Sequence, residues 1–131
     1  MKPFILFLLT IGMMSLSMAD VLQDQLAVYR AQGASDFSAE RGEAMWKKEY
    51  HSAKTGKLHS CGSCHGQNLT TQGKHIKTGK LIEPIALSVN QKRFTDSKKI
   101  EKWFKRNCRW TLGRLCSPQE KGDFLVFLSQ Q

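Results

Sequence analysis

The chain has 131 residues, four of them cysteines, and a formal charge of +9 at pH 7, a length that suits one small domain with a limited core and leaves no room for a large multidomain enzyme. A basic balance serves nucleic acid, a membrane surface or an acidic partner. The export pattern at the amino terminus argues against nucleic acid, and lysines dispersed from Lys47 to Lys105 give a broadly basic surface compatible with an acidic redox partner.

Lys2, an almost unbroken apolar run from Phe4 to Met14, and the small-residue exit Ser17-Met18-Ala19 form the pattern of a secretory signal peptide spanning residues 1–19. The run falls short of the ~17 to 25 apolar residues that span a bilayer, so cleavage after Ala19 is expected, leaving a soluble domain over residues 20–131. Loss of Lys2 lowers the formal charge of that domain to +8, one below the whole chain.

Residues 20 to 32 read as a first helix, with Asp20 as a possible N-cap, Val21, Leu22, Leu26 and Tyr29 on its apolar face, and Gly33 as its stop. A second helix is predicted from Ser38 to about Tyr50, with Gly42, Met45, Trp46 and Tyr50 along one side. His51 to Ser60 reads as a polar loop, and residues 66 to 80 as an irregular basic segment. Leu81 to Leu87 is apolar but contains Pro84, which argues for an ordered loop rather than a central strand. The next helix is capped at Thr95 or Asp96 and runs to about Cys108, with Ile100, Trp103, Phe104 and Asn107 at i, i+3, i+4 and i+7 on one face. The last helix is marked by Ser117-Pro118-Gln119-Glu120 and extends from Pro118 to about Ser129.

Chemistry enters at Cys61-Gly-Ser-Cys-His65. Two thiols separated by two residues, with a histidine directly after the second, form the attachment signature of a c-type haem. The thiols add to the two vinyl groups and the adjacent imidazole becomes the proximal ligand. If Cys61 and Cys64 take the haem, Cys108 and Cys116 remain for each other, and an oxidising compartment makes a disulfide between them the expected outcome. The haem would then supply much of the core that so short a chain lacks.

The residue on the other side of the iron is less apparent. No methionine follows the motif, and Met45 reads as a core residue on the second helix. His51 and His59 precede the motif on a short tether, and His75 lies in the basic glycine-rich segment; a bis-His iron, and with it a plain electron carrier, stays open on the residues alone. Asn107 ends the apolar stripe of its helix immediately before Cys108.

The mature chain resembles the Sphaeroides haem protein (SHP) group of oxygen-binding monohaem cytochromes c. The likeness is densest in Cys61-Gly-Ser-Cys-His-Gly66, Thr78-Gly-Lys80, Arg93-Phe-Thr-Asp-Ser97, Glu101-Lys-Trp103, Arg106-Asn-Cys108, Gly113-Arg114 and Cys116. It implies an all-α, small class I cytochrome c fold around one covalent haem c, with His65 as proximal ligand, Asn107 as distal ligand in the ferric protein, and Cys108 and Cys116 as the group's disulfide. It also implies that Asn107 leaves the iron on reduction, opening a site for oxygen, nitric oxide or carbon monoxide, with nitric oxide dioxygenation as an associated activity. A dihaem cytochrome c and a membrane cytochrome b are the redox partners, and the periplasm the location, that the resemblance implies.

Overall fold

Two glycines, eighty positions apart in sequence, each permit a close approach between chain segments. Helix α2 (Ala39–Lys47) lies on the carboxy-terminal helix Pro118–Ser129. A Cβ on Gly42 would stand 2.2 Å from the Asp123 carbonyl oxygen, and one on Gly122 would stand 2.0 Å from the Phe37 ring. No larger residue fits either position without moving backbone or ring.

The computed structural model describes residues 18–53 and 55–131. Apart from Met18 and Ala19, the expected signal peptide lies outside the described residues. In chain order the elements are α1 (Met18–Ala31), α2, the two-residue strands β1 (Tyr50–His51) and β2 (Leu58–His59), α3 (Gly62–His65), β3 (Gly73–Lys74) and β4 (Leu81–Ile82), then α4 (Ser97–Thr111) and α5 (Pro118–Ser129). The fold is a small, mostly helical one. Among the described residues no helix is long and apolar enough to cross a membrane.

Side chains fix the helix starts. Ser38 caps α2 by accepting from the Arg41 amide, and Asp96 caps α4 by accepting from the Lys99 amide. At α5 the full capping box forms, Ser117 Oγ accepting from the Glu120 amide while the Glu120 carboxylate accepts from the Ser117 amide, with Pro118 opening the helix. The predicted span of α5 is the observed one. Helix α2 stops three residues before the expected end, because Tyr50 and His51 pair antiparallel with His59 and Leu58. A second pairing, Gly73 with Ile82 and Lys74 with Leu81, closes the segment expected to be irregular. Neither ladder could be read in advance: each is two residues long and carries no alternation.

The apolar interior has two parts. One gathers Trp46, Leu69, Ala86, Cys108, Cys116, Phe124, Phe127 and Leu128, with Met45 and Cys61 packed against it; the other gathers Leu26, Tyr29, Ile100 and Leu125. Phe94 and Phe104 touch both. Phe94 holds φ 57°, an uncommon conformation for an aromatic residue, and its ring sits where the two parts meet.

Polar groups lock the helices around this interior. Asp123, 2% exposed, accepts from the Ser38 amide at 2.8 Å, from Gln119 Nε2 at 3.1 Å and from both Nε and an Nη of Arg41 at 2.8 and 2.9 Å. Burying a carboxylate is tolerable only with such full pairing. Across the molecule Glu101 on α4 accepts from the buried Tyr29 hydroxyl, from Gln25 Nε2 and from Lys121 Nζ, so that α1, α4 and α5 meet at one carboxylate. Burial raises the Tyr29 phenol well above its ordinary range, which keeps it protonated and donating. Tyr29 is thus a packing residue, as its place on the α1 face predicted.

Candidate haem site

The attachment motif is a single helical turn presented by a strand pair. Cys61 opens α3, its carbonyl accepting from the His65 amide at 3.1 Å, and Gly66 ends the turn with φ 79° while its amide returns to the Gly62 carbonyl at 2.8 Å. The turn rests on β3. A Cβ on Gly73 would lie 2.2 Å from the Cys64 carbonyl oxygen and 2.8 Å from the His65 Cα, so the motif's backbone sits directly on a glycine. Gly73 carried no signal in the sequence beyond its lack of a side chain.

The chemistry of this donor set fits a covalent haem c. Cys61 and Cys64 are both left out of the disulfide and half-buried, so both sulfurs are available to the haem vinyl groups. Burial pushes the Cys61 thiol up to about 12, and its side chain packs against the interior that contains Cys116. His65 is driven the other way. Burial, helped by the nearby Arg93 guanidinium, lowers its imidazole to about 4, which makes it neutral at physiological pH, the form that ligates iron. The Trp46 ring stands 5.3 Å from the His65 ring and also contacts Phe124 and Phe127, so α2 and α5 together back the proximal side.

Arg93 was not singled out by sequence reasoning except as part of a longer likeness. Its Nε and an Nη donate to the Pro84 and Glu83 carbonyls at 3.1 and 2.7 Å, and Asn90 Nδ2 donates to Pro84 as well. Leu69 O meanwhile accepts from the Ile85 and Ala86 amides. The segment expected to be an ordered loop is ordered by these bonds, and the Arg93 charge is thereby held close to His65.

The possible distal residues separate by environment. Met45 is packed into the interior, in line with its core assignment. His51 is exposed on β1, whereas His59 is buried with its Nε2 bonded to Thr55 Oγ1. His75 packs at a tilt against Trp110, ring centroids 5.1 Å apart, and its Nδ1 accepts from the Lys77 and Thr78 amides at 3.3 and 3.2 Å. A ring nitrogen that accepts cannot also carry the proton, so a neutral His75 holds its proton on Nε2, the nitrogen a metal would need.

Asn107 lies in the penultimate turn of α4, directly before Cys108, and Cys108 is joined to Cys116 with Cα atoms 5.6 Å apart. The expected disulfide is therefore present. The expected inward face of α4 is displaced, however. Its buried side is Ile100, Phe104 (half-buried), Cys108 and Thr111, while Trp103 and Asn107 are exposed on the adjoining strip with half-buried Trp110. Residues at i+3 and i+4 sit on opposite shoulders of a helical stripe, and the protein interior took the i+4 shoulder. Trp103, Asn107 and Trp110 follow one another at spacings of four and three, so they share the other. Among the described residues no group of three or more His, Cys, Asp or Glu side chains is arranged to hold a metal ion.

Comparison with known proteins places these features. A family model described as a domain of unknown function, DUF1924, matches residues 32–128. The cytochrome c-type protein SHP of Cereibacter sphaeroides is 42% identical over 106 residues, 81% of either chain, and cytochrome c'' of Methylophilus methylotrophus is 38% identical over 120 residues, 86% of this chain and 83% of that one. Oxidised SHP, described as an oxygen-binding cytochrome c, superposes with a TM-score of 0.75 at 39% identity, covering 84% of this chain and 96% of its own. Oxidised cytochrome c'' superposes at 0.72 and 33% identity over 87% and 94%, and a solution structure of the same protein, at 0.71, concerns the structural basis of haem-ligand detachment.

Proposed function

The chain belongs to the DUF1924 family and is a monohaem c-type cytochrome related to SHP, with one covalently bound haem c in a class I cytochrome c fold; from that premise we propose that it accepts an electron and then binds a small diatomic gas at the position Asn107 gives up. When bound, haem c would supply a redox-active iron able to exchange a ligand. Everything else is supplied by the chain. Cys61 and Cys64 tether the group, and the neutral imidazole of His65, backed by Trp46, serves as the permanent ligand.

The observation that carries the reading is the setting of Asn107. It directly precedes a disulfide half-cystine on α4, whereas Met45, His59 and His75 are each engaged in other contacts. A neutral carboxamide is a weak donor to iron, and reduction, which removes one positive charge from the metal, weakens it further. The Cys108–Cys116 bridge fixes the backbone at the next residue, so exchange falls on the Asn107 side-chain torsions. The released amide keeps an N–H that can donate to an incoming ligand. The detachment described for cytochrome c'' and the oxygen binding described for SHP support the same sequence of events.

The disulfide and the export pattern support a periplasmic location, where a dihaem cytochrome c and a membrane cytochrome b are the electron donors in this reading, and oxygen, nitric oxide and carbon monoxide the ligands. Nitric oxide dioxygenation is the activity to assay. Spectra of the purified holoprotein test the core claim: the wild type is expected to be six-coordinate when ferric and to form a carbon monoxide adduct when ferrous. Asn107→Ala is expected to lose the sixth ferric ligand, and His75→Ala to keep it. A ferric spectrum unchanged by Asn107→Ala but altered by His75→Ala would replace this reading with a bis-His electron carrier.

A further inference from the structure

We infer that the groove between α4 and α5 is the docking site for an acidic face of the protein that delivers the electron, an inference that rests on the electron uptake proposed above. In sequence the lysines look evenly spread. In the fold they are not. Helix α4 carries Lys98, Lys99, Lys102, Lys105, Arg106 and Arg109 against one carboxylate, Glu101, and Lys98, Lys102, Lys105 and Arg109 recur at the i, i+4, i+7, i+11 spacing of a single stripe.

Lys102, Lys105 and Arg109 from this stripe, with Lys121 from α5, line a groove of about 350 Å³ together with Phe104, Leu115 and Cys116. The one carboxylate at the groove is committed elsewhere: its oxygens accept from Tyr29, Gln25 and Lys121. Among the described residues no carboxylate lies within ion-pair distance of Lys102, Lys105 or Arg109, whereas Arg114 and Lys121 nearby are each paired. Three unneutralised cations close together repel one another and contribute nothing to folding.

The apolar lining decides what the cations face. A small anion would use the charges and leave Leu115, half exposed, in water. A protein surface with a carboxylate ring around a projecting side chain uses both the polar rim and the apolar centre. Trp103 on the neighbouring strip, 45% exposed with the Arg106 guanidinium 5.0 Å over its ring, extends the same face toward the exposed Asn107. The electron donor would then contact the helix that carries the exchangeable ligand.

The test uses ferric holoprotein and reduced flavodoxin, an acidic protein, as the electron donor in stopped-flow measurements over a range of salt, with binding of oxidised flavodoxin followed by calorimetry. The pair Lys105→Glu and Arg109→Glu is compared with Lys57→Glu and Lys92→Glu, which change the net charge equally on other exposed segments. The groove pair is expected to slow reduction about ten-fold at low salt, flatten its salt dependence and weaken binding, as loss of steering does. The control pair is expected to stay within about two-fold, and reduction by the small neutral reductant lumiflavin to be equal for all. Equal slowing by both pairs, or no slowing by the groove pair, would overturn the inference. So would a groove variant that stops binding phosphatidylserine vesicles yet keeps its flavodoxin rate, which would make the face a lipid site. A missing carbon monoxide adduct would sink the gas-binding reading while leaving the docking result as measured.

Discussion

The α2–α5 crossing and the α4 surface show how differently one small chain treats its two flanks. At the crossing, Gly42 brings α2 onto the Asp123 backbone and Gly122 seats the Phe37 ring, Asp123 is buried with four donors, and Trp46 packs against His65. On α4 the helix is pinned on one side only, through Glu101, Cys108 and Thr111, and its other strip carries exposed Trp103 and Asn107 amid uncompensated cations. In the reading proposed above, the permanent ligand His65 is backed by close packing between helices, and the exchangeable Asn107 sits on a helix held from one side.

The contrast fails if substitutions on the two flanks cost the same. Gly42→Ala is expected to have the largest effect, because its Cβ meets Asp123 backbone and not a yielding side chain; a loss of about 3 kcal/mol in chemical denaturation is expected, in the upper range for overpacking. Replacing both Cys108 and Cys116 with serine releases a short loop of sequence separation eight. Chain entropy puts that cost at about 2.5 kcal/mol, and the same double variant is expected to broaden the ferric spectrum, since Asn107 loses the anchor beside it.

Asn107→Ala sharpens the contrast. Denaturation of the reduced holoprotein, in which the proposed exchange has already freed Asn107, is expected to shift by less than about 0.5 kcal/mol, the usual range for an exposed site, whereas the ferric holoprotein is expected to lose a ligand. A loss of several kcal/mol in the reduced holoprotein would mean that Asn107 is packed there after all.

The smallest expected effect is a pH dependence at the start of α5. The hydrogen bond from Arg114, reinforced by the Ser117 cap, lowers the Glu120 carboxyl below its ordinary value of 4.5. A carboxylate more acidic in the folded state than in the unfolded one adds stability that is complete above its ordinary value and is lost as pH falls through the folded value. Glu120→Gln is therefore expected to flatten the acid limb of the stability profile below pH 4.5 and to leave the neutral region almost parallel to wild type.

Local chemistry explains what could be read beforehand. The capping box of α5, the stop at Gly33, the motif at residues 61–65 and the Cys108–Cys116 pair all lie in short stretches whose residues interact with one another. Asp123 gave no warning, because its partners Ser38 and Arg41 are more than eighty positions away. Arg93 was equally silent: its bonds go to carbonyls, which every residue has. On α4 the apolar stripe was visible but its edge was not, since Trp103 on one shoulder and Cys108 on the other are both plausible core residues. Only the position of α1 and α5, fixed by contacts distant in sequence, decides between them.

The span of the α2–α5 contact bears on how the chain is made. Ser38 and Asp123 are 85 positions apart, and the interior around Trp46 is completed by Phe124, Phe127 and Leu128 near the last residue. Closing so long a loop early is entropically unfavourable, and while the chain is still leaving the ribosome its final helix is not there to close it. Until residues 118–128 have been made, Trp46 and α2 lack the α5 side chains they pack against, so this half of the interior forms as a unit with α5.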